Sequence, residues 1–179
     1  MARILIVGGG CRGRLLAAEL ADAGHAVRIT TREERGRAAI EAIGAECWIG
    51  TPDRLGTLRG ALENATLACW LLGSSSGSAR QLEELHGSRL RAFVRQLIDT
   101  TVRGLIYEAA RPAVPVRAVA GGEQPTVRGL AQHNAIPATP LTADPADTRE
   151  WLAQARAAVR GLLEPRHEDA GSLSWKVIF

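Results

Sequence analysis

The sequence predicts one α/β domain in which helices cover both faces of a doubly wound parallel sheet, a three-layer α/β/α arrangement. Short apolar runs alternate with segments whose apolar residues recur at helical spacing, which is typical of a parallel sheet. Several of these runs are apolar throughout, as expected of strands that are buried on both faces. The length of 179 residues suits a single domain with its own core.

The first two thirds of the chain give a regular order of elements. Apolar runs predict five strands, at 3–7, 25–30, 45–49, 65–72 and 104–110. Helical spacing predicts helices at 13–23, 33–43 and 79–99. Leu55, Leu58 and Leu62 share one face of a further predicted helix, which Asp53 would cap.

The last third is less regular. It predicts a strand at 116–120, a short helix at 127–134, a proline-containing edge strand at 135–141 and an amphipathic helix around Trp151. We therefore divide the chain into a domain of residues 1–164 and a C-terminal tail of residues 165–179. The tail ends in the apolar SLSWKVIF, which we expect to pack on the domain or to add a strand to a second subunit. A homodimer is predicted on that ground.

Composition excludes several classes of function. No apolar run is long enough to span a membrane, and MARILIV enters strand-like sequence without the regions of a signal peptide, so a cytoplasmic protein is predicted. Arginines are interleaved with acidic residues and aromatic residues make up 4% of the chain, which argues against a nucleic-acid surface. The three cysteines and four histidines are scattered, so neither a disulfide framework nor a metal site is predicted.

The segment RILIVGGGCRG carries the strongest functional signal. Gly8, Gly10 and Gly13 form G-x-G-x-x-G between the first strand and the first helix, the setting that distinguishes a dinucleotide-binding fingerprint from a chance match. The first glycine permits a tight turn, the second admits a pyrophosphate, and the third lets the helix pack on the strand. A merely flexible turn is the alternative. The motif predicts a Rossmann fold that binds a dinucleotide at the helix N-terminus.

The end of the second strand predicts which dinucleotide is bound. An NAD site usually has an acidic residue there for the ribose 2′-hydroxyl, whereas this chain has Thr31 and Arg32. Arg32 can bind a 2′-phosphate through its guanidinium fork, and Arg12 of the glycine loop can face the same phosphate. Alternatively, Arg32 is solvated and its charge is offset by Glu33 and Glu34. The pattern favours NADP(H) over NAD(H).

The order of these motifs resembles the extended and atypical short-chain dehydrogenase/reductases, the NAD-dependent epimerase/dehydratase-like group. The resemblance covers residues 3 to about 120 and rests on ILIVGGGCRG, GHAVRITTR, GAECWIGTPDRLGTLRGALEN and GLIYEAA. It implies four groups of cofactor-binding residues: Gly8, Gly10, Cys11, Arg12 and Gly13 at the pyrophosphate; Thr31 and Arg32 at the adenosine ribose phosphate; Thr51 and Pro52 at the adenine; and Leu72, Gly73 and Ser74 at the nicotinamide ribose.

The sequence departs from this family at the catalytic positions. Family reductases use Tyr-x-x-x-Lys, in which the lysine lowers the pKa of the tyrosine. The only tyrosine here is Tyr107, inside the predicted fifth strand, and the only lysine is Lys176. Ala109 and Ala110 replace the usual serine pair. The resemblance therefore implies a cofactor site and leaves the catalytic residues unidentified.

Two other features leave their roles open. Glu108 ends the fifth strand, where it can act as a base or orient a substrate, or instead pair with Arg111 or Arg117. The serine-rich loop 74–78 can border the nicotinamide or serve only as a connection. Cys11 sits at a helix N-terminus, where a redox role is one reading and a small loop residue the other.

Two functions from different classes fit these observations. The first is an atypical NADP(H)-dependent oxidoreductase that lacks the Tyr-Lys pair and in which the cofactor supplies the hydride. The second is a non-catalytic NADP(H)-binding protein, either a redox sensor or a partner-binding module. A site for another adenine nucleotide or for S-adenosylmethionine is a more distant alternative.

Overall fold

The computed structural model describes residues 1–108 and 126–164. It contains a parallel six-stranded sheet in the order β3-β2-β1-β4-β5-β6. This is a single-domain Rossmann fold, and it confirms the predicted fold class. The predicted strand 116–120 and the tail 165–179 lie outside the described residues, so the dimer inferred from the tail stays a prediction.

The six strands are β1 (Arg3–Val7), β2 (Ala26–Thr31), β3 (Glu46–Ile49), β4 (Leu67–Trp70), β5 (Gly104–Glu108) and β6 (Ala138–Leu141). The helices are α1 (Cys11–Asp22), α2 (Arg37–Glu41), α3 (Ala79–Glu84), α4 (Leu90–Leu97), α5 (Val127–His133) and α6 (Thr148–Leu163). Three 3₁₀ turns lie at Glu34–Gly36, Leu55–Leu58 and Gly60–Leu62, and a π-helical turn lies at Leu85–Arg89.

The central strand β1 fixes where a ligand can bind. It pairs on one side with β2, where Ile4 is opposite Val27, and on the other with β4, where Ile4 is opposite Leu67. The chain therefore reverses its direction of winding between β1 and β4. In open α/β sheets ligands bind beyond the carboxyl ends of the strands at such a switch point.

Each face of the sheet buries one hydrophobic cluster. On one face, apolar residues of α1, α2 and α6 cover Ile4, Ile6 and Ile29. On the other, the 3₁₀ turns within 55–62, the π-helical turn, α4 and α5 cover Leu5, Val7 and Trp70, whose ring centroid is 4.9 Å from that of Phe93. None of the helices in residues 1–108 and 126–164 is long and apolar enough to cross a membrane.

The predicted helix capped by Asp53 is wrong, because two 3₁₀ turns take its place. The guanidinium of the buried Arg28 donates to the carbonyl oxygens of Gly60, Ala61 and Glu63. A side chain from outside the segment therefore binds these three acceptors. Asp53 does not cap a helix; it pairs instead with Arg89. The low helix propensity of the two glycines in this segment acts in the same direction.

Two other predicted helices are interrupted in the structure. The predicted helix 79–99 begins as expected, because Ser78 and Gln81 form a reciprocal capping box, but the π-helical turn divides it into α3 and α4. The predicted helix 33–43 contracts to one 3₁₀ turn and the short α2, with Gly36 packed directly against the side chain of Thr31. Both interruptions contain a glycine.

A glycine pair tests how tightly the 3₁₀ segment is packed. A Cβ at Gly60 would lie 2.8 Å from Cη2 and Cζ2 of Trp48, whereas a Cβ at Gly56 would meet nothing within 4 Å. We expect Gly60→Ala to lower the free energy of unfolding by about 1–3 kcal/mol, because the indole has to move. Gly56→Ala is the matched control and should leave stability unchanged or slightly raised. Urea unfolding measures both, and equal midpoints would contradict the packing described.

Candidate functional site

A cleft of about 470 Å³ opens at the carboxyl ends of β1, β2 and β4. Its volume lies within the range of about 300–1,000 Å³ that is usual for small-molecule sites. A larger groove of about 720 Å³ runs between α5, β6 and α6 and contains none of the predicted site residues. The cleft is lined by Gly8, Gly9, Gly10, Thr30, Thr31, Arg32, Glu33, Arg35, Gly36, Gly50, Pro52, Leu71, Leu72, Ser74, Ser75 and Ser76.

The three fingerprint glycines occupy three different environments. Gly8 has φ of +124°, and a Cβ there would lie 2.4 Å from the carbonyl oxygen of Leu71. A Cβ at Gly13 would lie 2.2 Å from the carbonyl oxygen of Gly8, so only glycine lets α1 approach the strand this closely. A Cβ at Gly10 would meet nothing within 4 Å. The loop is therefore closed at Gly8 and Gly13 and open to the cleft at Gly10.

The N-terminus of α1 begins at this open position. Gly10 is the N-cap residue, no side chain caps the helix, and its first turn has no acidic residue. The backbone N–H groups of a helix end donate to anions, and the helix dipole adds a partial positive charge there. Arg14 adds a cation next to the loop, with its Nη1 donating to the carbonyl oxygen of Gly9 at 2.7 Å.

The charges at the end of β2 are paired in a way that leaves out Arg32. Glu33 pairs with Arg35 at 2.7 Å, and Glu34 pairs with Arg37. Within the described ranges, Arg32 forms no ion pair and lines the cleft with an exposed side chain. Arg32 is thus exposed, as the alternative of a solvated residue expects, but neither Glu33 nor Glu34 pairs with it.

The structure brings seven of the predicted site residues together and places five elsewhere. Those in the cleft wall are Gly8, Gly10, Thr31, Arg32, Pro52, Leu72 and Ser74. The five outside the wall are Cys11, Arg12, Gly13, Thr51 and Gly73. Cys11 is exposed, with its Sγ 3.8 Å from Nη2 of Arg14.

Arg12 points away from the cleft. Its Nη2 donates to Oε1 of Glu108 at 3.3 Å, its Nη1 donates to the carbonyl oxygen of Pro145 at 3.1 Å, and its guanidinium lies 5.4 Å from the centre of the Trp151 ring. In this structure Arg12 is therefore committed to Glu108 and does not face the position expected for the 2′-phosphate.

Glu108 is buried and accepts three hydrogen bonds. In addition to Arg12, Nε1 of Trp151 donates to its Oε1 at 2.8 Å, and the backbone N–H of Gly73 donates to its Oε2. Its expected partners Arg111 and Arg117 lie outside the described residues. With three donors in place, Glu108 holds the loop after β4 against α1 and α6, which is a positioning role.

Tyr107 does not have the environment of a catalytic tyrosine. It lies within β5 and packs against the buried cluster on the α4 side of the sheet. Burial raises the pKa of its phenol, and the positive charge of Arg128 only partly opposes that effect. A tyrosine that acts as an acid or base near neutral pH needs the opposite shift.

Sequence reasoning missed several residues of the wall. For Gly9, Thr30, Glu33, Gly50 and Leu71 the signal was adjacency, because each lies beside a predicted residue. Helical spacing includes Gly36 in the predicted helix 33–43, although a glycine there predicts close packing. The missed residues are Gly9, Thr30, Glu33, Arg35, Gly36, Gly50 and Leu71, whereas Ser75 and Ser76 belong to the serine-rich loop whose role the sequence left open. No group of His, Cys, Asp or Glu side chains in the described part of the chain is placed to hold a metal ion.

Comparisons with solved structures confirm the fold. BdcA (YjgI) from E. coli matches with a TM-score of 0.68 and 12% identity, covering 87% of this chain and 89% of that one. Triphenylmethane reductase from Citrobacter sp., solved in complex with NADP(H), matches with a TM-score of 0.58 and 16% identity, over 78% of this chain and 48% of the reductase. Vestitone reductase from alfalfa (Medicago sativa L.) matches with a TM-score of 0.50 and 15% identity, over 61% of this chain and 36% of the reductase.

The chain thus spans less than half the length of those two reductases. No protein-family model and no curated protein sequence matches it. At these identities the structural matches establish that the chain has the fold of NAD(P)-binding reductases. The resemblance predicted from the sequence is confirmed at that level.

Substitutions at Gly13 and Gly10 distinguish the glycine that the fold requires from the glycine that leaves the loop open to a ligand. We expect Gly13→Ala to lower the free energy of unfolding by about 2–4 kcal/mol, because its Cβ would overlap a backbone oxygen that cannot move without opening the loop. Gly10→Ala should stay within about 0.5 kcal/mol of the wild type, since its Cβ enters open space. Thermal and urea unfolding compare the two. Equal losses of stability would contradict the assignment of Gly10 as the open position.

Proposed function

We propose that the protein binds NADP(H) in the cleft and acts as an oxidoreductase without a Tyr-Lys pair. The observation that carries the proposal is the glycine loop, which is closed by Gly8 and Gly13 and open only at Gly10. An uncapped helix N-terminus follows directly, so backbone N–H groups would meet a pyrophosphate laid over Gly10.

The preference for NADP(H) over NAD(H) rests on Arg32. It follows Thr31 at the end of β2, where a ribose 2′-oxygen would lie if the pyrophosphate sits over Gly10. A planar guanidinium with no acidic partner among the described residues is suited to a phosphate and has no carboxylate to offer a 2′-hydroxyl. The NADP(H) held by triphenylmethane reductase, a protein of similar fold, supports the same choice.

The rest of the cofactor would follow the cleft wall. Pro52 and Gly50 lie on the side of β3 and would face the adenine, and Leu72 and Ser74 follow β4 and would face the nicotinamide ribose. When bound, NADPH supplies a hydride, and the protein contributes orientation and exclusion of water. Glu108 would then act through the backbone of Gly73, because its carboxylate holds that loop in place.

Cofactor selectivity is tested by binding titrations on paired arginine variants. Arg32→Ala should weaken NADPH binding by about 10- to 100-fold, the equivalent of a lost charge-assisted contact worth about 1.5–3 kcal/mol, and leave NADH binding unchanged. Arg95→Ala is the matched control, because it removes an exposed arginine on α4 that does not line the cleft. Isothermal titration calorimetry measures both ligands, and an unchanged NADPH affinity in Arg32→Ala would overturn the preference.

Catalysis is tested separately with small carbonyl, quinone and flavin acceptors. We expect NADPH oxidation that depends on the acceptor and disappears in Gly10→Val, whose side chain would fill the open position while the fold is kept. Tight NADPH binding without turnover would favour the second candidate, a non-catalytic redox sensor or partner-binding protein, which the position of Tyr107 within β5 already favours. NADPH oxidation that persists in Gly10→Val would contradict the proposed location of the cofactor over Gly10.

A further inference from the structure

The groove between α5, β6 and α6 lies along an open edge of the sheet. Among the described residues, β6 ends the sheet and pairs with β5 alone. Because α5 packs on one face of the sheet and α6 on the other, the groove of about 720 Å³ has the edge of β6 as its floor and a helix on each side. On the α6 side the small residues Ala157, Ala158 and Gly161 line it. The groove therefore has the shape of a slot for one more strand.

The backbone of β6 offers hydrogen-bonding groups to this slot. The N–H of Leu105 in β5 donates to the carbonyl oxygen of Pro137, so Pro137 and Thr139 direct their backbone groups toward β5. Since these directions alternate along a strand, Ala138 and Pro140 direct theirs into the groove. Pro140 has no N–H, which leaves the N–H of Ala138 and the carbonyl oxygens of both residues. An exposed strand edge of this kind is a template for another chain.

The free edge is confined to β6 itself. Beyond the strand, the N–H groups of Thr142 and Ala143 donate to Oε1 of Gln154 at 2.8 and 2.9 Å. Before the strand, the N–H of Ile136 donates to the carbonyl oxygen of Ala131 at 2.9 Å. The backbone on either side of β6 thus has its partners in place, and the groove exposes the edge of one short strand.

The sequence 172–179, SLSWKVIF, has the composition of a strand that would fit this slot. It is rich in aromatic and β-branched residues, which favour extended structure. In an extended chain Trp175, Val177 and Phe179 would point to one side and Lys176 to the other. The large apolar set complements the small residues that α6 presents to the groove, and the lysine would lie on the side of α5, whose lining residues are polar.

The handedness of the fold favours a second copy as the source of that strand. The end of α6 lies at the amino end of the sheet, where Leu162 would be 3.1 Å from a Cβ at Gly104, so a chain that continued into the groove would run parallel to β6. Parallel crossovers are right-handed in about 98% of cases. The crossover from β5 to β6 moves outward through α5, whereas α6 lies on the opposite face. A further outward crossover through α6 would therefore be left-handed.

We propose that the edge of β6 binds residues 172–179 of a second copy of this chain, and that two copies exchange these segments. In a dimer with a two-fold axis each copy donates one strand and accepts one, so the β6 edges of both copies are closed. Residues 165–171 would span up to about 23–25 Å when extended, which is enough to cross to a neighbouring copy. The inference does not depend on the proposed cofactor, because no residue lines both the groove and the cleft.

Sedimentation equilibrium of the full chain measures the dissociation constant of the dimer. Gly161→Leu fills the groove, and the fold should be kept because a Cβ at Gly161 meets nothing within 4 Å. We expect this variant to raise the dissociation constant by at least about 10-fold, since the added side chain occupies space that the strand needs. Val177→Pro, which removes a donor from the strand, should have the same effect. Ala153→Leu is the matched control, because it adds the same side chain to an exposed position of α6 outside the groove.

A photocross-link identifies which chain fills the groove. Trp175→p-benzoylphenylalanine is prepared with light and with heavy nitrogen, and the two preparations are mixed before irradiation. We expect cross-links from position 175 to peptides of β6 and α6, with light and heavy peptides joined to each other. Cross-links that join only peptides of the same isotope would show that each chain fills its own groove. That result, cross-links outside the groove, a chain that stays monomeric, or a dimer that Gly161→Leu leaves unchanged would each overturn the proposal.

Discussion

The architecture of the site depends on one buried carboxylate. Glu108 accepts hydrogen bonds from Arg12 of α1, from Trp151 of α6 and from the backbone of Gly73 after β4. Removing a carboxylate from water is costly unless its oxygens are paired and hydrogen-bonded, and here three donors meet that need. The same bonds join the glycine loop to the loop on the far side of the cleft. Glu108 thus fixes the distance between the glycine loop and the loop that follows β4.

This constraint explains why the fingerprint holds its shape although Arg12 turns inward. The glycine loop is held from below by the contact between Gly13 and the Gly8 carbonyl, and from the side by Arg12. Neither contact uses the backbone N–H groups of the first turn of α1. The loop can therefore be rigid and still present donors to an anion, which is the condition for binding a pyrophosphate without a large ordering cost.

The sequence was sufficient to predict those features that depend on residues close together in the chain. The positions of β1, β2 and β3 and the close packing at Gly8 and Gly13 follow from runs and spacings that span a few residues. The sequence was insufficient where distant residues decide. The bond between Arg12 and Glu108 joins positions 96 apart, and Arg28 reshapes a segment more than 30 residues away. Periodicity likewise cannot reveal the π-helical turn, because one inserted residue leaves the apolar pattern on either side intact.

The electrostatics of the cleft come from selective pairing of charges. Three arginines and two glutamates follow one another within residues 32–37, and a count of charges would make this stretch nearly neutral. The structure pairs Glu33 with Arg35 and Glu34 with Arg37, and the one guanidinium left over belongs to the residue nearest the end of β2. Since exposed ion pairs add little to stability, these pairs matter chiefly because they keep both carboxylates away from Arg32. An arginine without an ion-pair partner among the described residues can therefore remain in a segment with almost no net charge, and its position depends on which arginines the two glutamates pair with.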